Sequence, residues 1–259
     1  MRLLSCATLL LAAGTAVAQS VQYDGTAYDL ESGEVIYRES HFFKQDGASA
    51  HRVVLYRCPS GTPFARKHVN YAAEPSSPDF VLEDARLGYR EGVRAGAEAR
   101  EVFVQRTPKD AEDAEPLPPG DDPATAVVID AGFDDFVRGH WDQLQTGEDV
   151  HFPFLVPSRH DWWGFKIRKD RDEDLYGGKA SVIQMSLGSW FGFLLPNVEV
   201  TYSNDQHLLL RFAGLSNVRD GKGKNYKARI EFPPESRVSL DEVAMQAAEG
   251  EALVSRCEG

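Results

Sequence analysis

Three runs decide the fold: Val198-Glu199-Val200-Thr201-Tyr202-Ser203, Leu208-Leu209-Leu210-Arg211-Phe212 and Tyr226-Lys227-Ala228-Arg229-Ile230-Glu231-Phe232. In each, an apolar side chain alternates with a mostly polar one. Successive side chains on a strand point to opposite faces, so every run builds one dry face and one wetter face. Three such runs in succession predict an antiparallel meander with one side against a core. Leu208, Leu210 and Phe212 are expected on the dry side, together with Tyr226 and Ile230.

Upstream, from Gln19 to Arg106, short β-type runs recur between turn residues. Val35 to Phe43, Val53 to Tyr56, Phe64 to Tyr71, Phe80 to Leu82, a run around Tyr89 and Val102 to Val104 continue the series. Spacing of this sort predicts a long meander or barrel-like sheet. The alternation in this half is imperfect, which leaves its register open. Thr107 to Ala124 is rich in Pro, Asp and Glu and reads as an exposed loop inside one domain.

The period then changes. Phe133, Phe136, Val137, Trp141 and Leu144 fall at helical spacing, with Asp130 available as N-cap and Gly147 as a stop. This helix needs an apolar surface for its aromatic stripe, and the dry face of the sheet provides one. Strand signals resume at Val150 to Val156 and at Trp163, Phe165 and Ile167. Ala180 to Val198 carries no formal charge, but Gln184, Gly188, Gly192, Pro196 and Asn197 interrupt it. A buried short helix or strand suits it better than a membrane span. Near the end, Ser239-Leu240-Asp241-Glu242 reads as a capping box. The helix it opens is expected to run to about Ser255, with Leu240, Val243, Ala247 and Leu253 on its buried side.

The first residues fit an export signal. Arg2, an apolar run to Leu11 and Ala16-Val17-Ala18 before Gln19 have the parts of a cleaved leader, so residues 1–18 are expected to be removed. Residues 19–259 then form a single β-rich domain, the Pro-rich loop at 107–124 included. A domain of that length can bury about 70% of its unfolded surface in one core. The formal net charge of −12 argues against nucleic acid, which requires a basic footprint. Cys6 leaves with the leader, so Cys58 and Cys257 remain as a pair in an oxidising compartment. A disulfide between them is the natural reading and contributes roughly 3–5 kcal/mol by restricting the unfolded chain. The alternative is a pair of free thiols or a redox site, although no C-x-x-C motif is present.

Chemical signatures are scarce. The sequence has no G-x-S-x-G, no H-E-x-x-H, no P-loop and no G-x-G-x-x-G opening a helix. His41, His51 and His68 lie on or beside successive β-runs, but no ligand spacing supports a metal, and hydrogen-bonded histidines are the plainer reading. The same holds for His151, His160 and Asp161, so neither a metal nor a cofactor is assigned. Two features remain. Aromatic residues crowd the stretch from Phe133 to Tyr202, and Phe136, Trp141, Trp162, Trp163, Trp190 and Phe193 are candidates to line an apolar ligand pocket, with core packing as the alternative. Lys166, Arg168, Arg211, Lys227 and Arg229 are expected on the wet face of the late strands. With Arg219, Lys222 and Lys224 of the adjoining Gly-rich loop they are candidates to meet lipid headgroups or an acidic partner, with pairing to Glu199 and Glu231 as the alternative.

An export signal, a long antiparallel meander, an amphipathic helix at Phe133 to Leu144 and a closing meander follow one another in this order. In that order of elements the chain resembles the periplasmic lipoprotein-carrier superfamily of bacteria, half-barrel proteins that shuttle or sense lipoproteins, and related exported proteins of unknown function. The resemblance implies a curved antiparallel sheet, a half-barrel or open barrel, covered by two or three helices that hold an acyl chain between them. It carries over no individual residue. The Pro-rich insertion and the capped C-terminal helix depart from the small carriers. The function expected is a non-enzymatic periplasmic protein, or a secreted one where the source has no outer membrane, that binds a lipid or other apolar ligand. The alternatives are an envelope protein-interaction module using the basic face, and an envelope hydrolase.

Overall fold

The computed structural model describes residues 20–47, 49–71, 74–120, 125–188 and 197–258. The expected leader, Trp190 and Phe193 lie outside these residues. The chain first lays down β1 (Val21–Asp29), β2 (Val35–Asp46), β3 (Ser49–Arg57), β4 (Pro63–Asn70), β5 (Asp79–Asp84), β6 (Tyr89–Ala95), β7 (Arg100–Gln105) and β8 (Asp113–Pro116). After α1 (Phe133–Gly139) and α2 (Trp141–Gln145) come β9 (Val150–Val156), β10 (Asp161–Leu175), β11 (Gly178–Leu187), β12 (Val198–Ser203), β13 (Leu209–Arg219) and β14 (Asn225–Glu231). A two-residue strand, β15 (Val238–Ser239), and α3 (Glu242–Gly250) complete the chain.

All the strands form a single 15-stranded antiparallel sheet in the order β8-β7-β6-β5-β4-β3-β2-β1-β14-β13-β12-β11-β10-β9, with β15 beside β1. The chain therefore starts in the middle, meanders to one edge, crosses to the other through α1 and α2, and returns to its starting strand. The join is the β1–β14 ladder, in which Thr26 faces Glu231 and Ala27 faces Ile230. The Pro-rich stretch supplies one edge, since β8 lies within it and pairs with β7. It is exposed, as expected, but not wholly a loop. The two edges meet without strand pairing. Arg106 donates to the Ser158 carbonyl at 3.2 Å, and the Trp162 indole donates to the Pro118 carbonyl at 2.9 Å.

The alternation in the closing meander holds with one correction. A register shift between Thr201 and Tyr202 sets Tyr202 opposite Leu209. Leu209, not Leu208, packs into the core, where Phe212, Tyr226, Ile230 and Phe232 join it as expected, and Leu210 is buried. In the first half the imperfect alternation has a physical cause. On β3, Val54 and Tyr56 face the main core, whereas Val53 and Leu55 pack with Met245 and Ala248 of α3 on the opposite face. A strand covered on both faces loses its polar alternates, so its sequence no longer reports which face is which.

The helices differ from expectation at their ends. The expected helix from Phe133 to Leu144 breaks at His140 into α1 and α2. Asp130 does not cap it: its carboxylate takes the Lys67 ammonium, and Gly132 holds the N-cap position. A side chain at Gly132 would press on the Ser76 carbonyl, its Cβ only 2.1 Å away. At the C-terminus Ser239 pairs with β1, so Asp241 caps α3 instead, accepting the Val243 and Ala244 amides at 2.9 and 3.3 Å. The buried side of α3 is Met245 and Ala248, while Val243 is 74% exposed and Ala247 is exposed. The chain leaves the helix at Gly250 and returns to the sheet, where Cys257 bonds Cys58 across a sequence separation of 199. The expected disulfide is present. The Val254 amide donates to the Pro63 carbonyl beside it.

Candidate functional site

The β9–β10 hairpin places the aromatic residues. Its register pairs Trp162 with Leu155, Trp163 with Phe154, and Phe165 with Phe152. Leu155 and Trp162 join the main core, whereas Phe152, Phe154 and Phe165 turn to the other side, under α1 and α2. There Phe136 stacks within 4.6 Å of Phe152, and Trp141 lies 4.1 Å from the His207 ring. Phe136 and Trp141 are therefore interlocked core residues and do not line an open space.

Trp162 and Trp163 do. With Phe152, Pro153, Phe165 and Leu187 they line a groove of about 680 Å³, mostly apolar, with His151 and Thr125 contributing polar groups. Two glycines make room for it. The Gly188 amide donates to the Gly164 carbonyl at 2.9 Å, and a Cβ added at Gly164 would meet nothing within 4 Å. Volume and lining match those of small-ligand sites. From the sequence, Trp162 and Trp163 were legible as candidates, but Gly164 and Gly188 were not, because a gap is a property of what surrounds a glycine.

Elsewhere the core encloses charge as well as apolar side chains. Lys67 donates to both Asp130 oxygens at 2.7 Å, with both side chains largely buried. Asn217 adds a bond to the same carboxylate at 3.3 Å. His41 Nε2 lies 2.7 Å from Glu39 Oε2, and its ring stacks on Tyr23 at 4.5 Å. Burial pushes the His41 imidazole down, outweighing the Glu39 charge that favours its protonation. A neutral ring with its proton on Nε2 satisfies that pair and leaves Nδ1 unpartnered, as observed. Burial also pushes the Tyr37 and Tyr56 hydroxyls well up. Tyr37 and Ser216 share a hydrogen bond of 2.9 Å. None of these pairs shares a local sequence signal, apart from the i, i+2 spacing of Glu39 and His41.

The histidines do not converge. His41 faces inward, whereas His51 and His68 stack on each other at 5.9 Å, His51 being 3.6 Å from Glu249 of the outer helix. His151 lines the groove, and His160 sits apart at the seam, 3.6 Å from Glu115. Asp113, Glu115 and His160 do bring one ligand atom each within 4.8 Å of one another, with both carboxylates exposed.

Each cation of the basic face has an acid beside it. Lys166 and Arg168 approach Asp149 at 2.7 and 3.8 Å, Arg211 approaches Glu173 at 2.5 Å, Lys227 approaches Glu31 at 3.9 Å, and Arg229 approaches Glu231 at 3.0 Å. Lys166 in particular holds the Asp149 carboxyl below the usual range. Five cations each beside a carboxylate make a solvated, self-neutralised surface.

No protein-family model matches the chain, and no curated protein matches its sequence. A solved structure does share its fold. A β-barrel-like protein of domain of unknown function DUF1849 from Brucella abortus superposes with a TM-score of 0.52 at 8% identity, covering 86% of this chain and 97% of that one. A domain from Vibrio parahaemolyticus provisionally described as outer membrane lipoprotein-sorting gives a TM-score of 0.32 at 8% identity, covering 90% and 92%. At such identity the likeness is one of fold. The curved antiparallel sheet with few helices, expected from the order of elements, is the architecture found. No helix among the described residues is long and apolar enough to cross a membrane. With the Cys58–Cys257 disulfide, which belongs to an oxidising compartment, the chain has the character of an exported protein.

Proposed function

We propose that this is a periplasmic, non-enzymatic binding protein that holds a lipid or other apolar molecule in the groove between Trp162, Trp163 and Leu187. The groove itself carries the reading. It is an open, mostly apolar space lined by the half-buried Trp162 and Trp163, and an apolar cleft with a few polar groups is the form that small-ligand sites take. The half-barrel likeness supports it, since a curved sheet with covering helices is a shape suited to holding an acyl chain. Phe136 acts from behind, its ring 4.6 Å from that of Phe152, which lines the groove.

Tryptophan fluorescence tests this directly. Titration with palmitate should give a saturable change in emission. Gly164→Leu, whose Cβ meets nothing within 4 Å, places an isobutyl group in the groove and should weaken binding by about tenfold or more while leaving the melting temperature unchanged. An emission that ignores palmitate, or a variant that binds as well as the parent, would remove the groove as the site.

A further inference from the structure

A second cleft, sharing no lining residue with the groove, lies between the turn at Pro157–Arg159 and the loop that joins β13 to β14. It measures about 620 Å³, and Arg106, Arg159, Arg219 and Lys222 line it together with Tyr89 and Ser158. Four cations around one space are unexpected on a chain of formal net charge −12. They also differ from the basic face in their partners.

Arg219 is held rigidly. Its guanidinium lies 4.1 Å from the Tyr89 ring centroid and donates to the Tyr89 hydroxyl at 2.9 Å and to the Gly223 carbonyl at 3.1 Å. The Tyr89 hydroxyl in turn donates to Glu91 at 2.5 Å. Arg219 Nε is buried and has no partner among the described residues. Arg106 is steadied by the Ser158 carbonyl, and its nearest acid, Asp113, is 3.9 Å away. Arg159 and Lys222 make no ion pair among the described residues. Asp220, the acid of the loop, is turned onto backbone: it accepts the Lys222 and Lys224 amides at 2.8 and 2.9 Å. The loop is thus folded by its own carboxylate, while its lysine side chain is left to the cleft.

We infer that this cleft binds an oxyanion of the phosphate class, with Arg219 and Arg106 as fixed donors and Arg159 and Lys222 as closing cations. Planar guanidiniums match phosphate oxygens in geometry, and a guanidinium already fixed by its neighbours loses little freedom on binding. The acidic remainder of the molecule repels anions, so binding would be local to this cleft and would weaken with added salt. A free phosphate and a phospholipid headgroup present the same chemistry, and the experiment separates them. The inference stands apart from the apolar groove.

Calorimetry at low ionic strength with inorganic phosphate, and flotation with phosphatidylcholine vesicles with or without phosphatidylglycerol, would be run on three proteins: the parent, Arg159→Gln with Lys222→Gln, and Lys179→Gln. The double variant removes two exposed, unpaired charges and leaves the Tyr89–Arg219 contact intact. Stoichiometric phosphate binding, weakened about tenfold or more in the double variant and unchanged in Lys179→Gln, identifies the cleft as a free-anion site. Flotation only with phosphatidylglycerol, lost in the double variant, identifies it as a headgroup site. Failure of the parent to bind either probe, or a double variant that binds as the parent does, overturns the inference. Palmitate binding by the groove should be unchanged in the double variant, so the two sites can fail separately.

Discussion

The half of the sheet from β1 to β8 and the half from β9 to β14 bury their concave sides differently. The first half encloses ion pairs and hydroxyls: Lys67 with Asp130, His41 with Glu39, Tyr37 with Ser216. The second half is mainly apolar, its buried Tyr202 hydroxyl donating to Asp134 at 2.7 Å. Phe136, Val137 and Leu144 of the two helices sit on Phe152, Ile167, Ile183 and Val200. Charge in the first half fixes which strands face which, because each buried ion needs its one partner. Aromatic bulk in the second half needs only a surface, and where two glycines interrupt that surface a groove is left.

The strongest way to break this contrast is to release the first half from its tie. Replacing Cys58 and Cys257 by serine reopens a loop of 199 residues in the unfolded chain, for which chain entropy gives a loss of about 5 kcal/mol. Urea melts should show it, and the near-UV signal of the α1–α2 region should fall with the rest if the sheet unfolds as one unit.

Next in size come single core changes. Lys67→Met should cost about 3–4 kcal/mol because it strands the buried Asp130 carboxylate. Adding Asp130→Asn, which removes that charge and tolerates the positive φ of 42°, should recover most of the loss. Phe152→Ala should cost about as much, 3–4 kcal/mol, but by leaving a cavity that no charge change repairs. Failure of Asp130→Asn to recover stability in Lys67→Met would contradict the contrast.

A smaller effect is one of pH. The His41 proton affinity is lowered by folding, so below the ordinary histidine value of 6.5 the unfolded chain takes up a proton that the folded chain resists. That contribution is fully present above pH 6.5 and is lost as pH falls through the window down to the folded value. Glu91, raised by burial, works the other way, its contribution being lost as pH rises above 4.5. The His41→Gln variant should therefore lose less stability than the parent between pH 7 and pH 5, compared by urea midpoints. Smallest of all, Lys227→Glu should change stability by less than about 0.5 kcal/mol, since its nearest acid is 3.9 Å away and exposed.

The same contrast explains what the sequence made legible. The closing meander could be read residue by residue because β13 and β14 keep one face wet, and only the bulge that exchanged Leu208 for Leu209 was hidden. Strand β3 could not be registered, because α3, nearly two hundred residues downstream, covers its other side. Helix ends were misread for a related reason. Asp130 and Ser239 are good caps locally, but Lys67 and β1 compete for them and win. At the candidate site, Trp162 and Trp163 announced themselves by type, and the disulfide by the count of cysteines. Arg219 and Lys222 of the second cleft stand together in one Gly-rich loop, but the Lys67–Asp130 pair and the cleft's Arg106 and Arg159 come from distant segments, and no local pattern brings them together.

Native mass spectrometry of the protein as purified from the cell envelope tests the central claim most directly. The account predicts a population carrying one added mass of lipid size, released by mild collisional activation and absent from Gly164→Leu. A parent protein that flies only at its unliganded mass, or a Gly164→Leu variant carrying the same added mass, would contradict it.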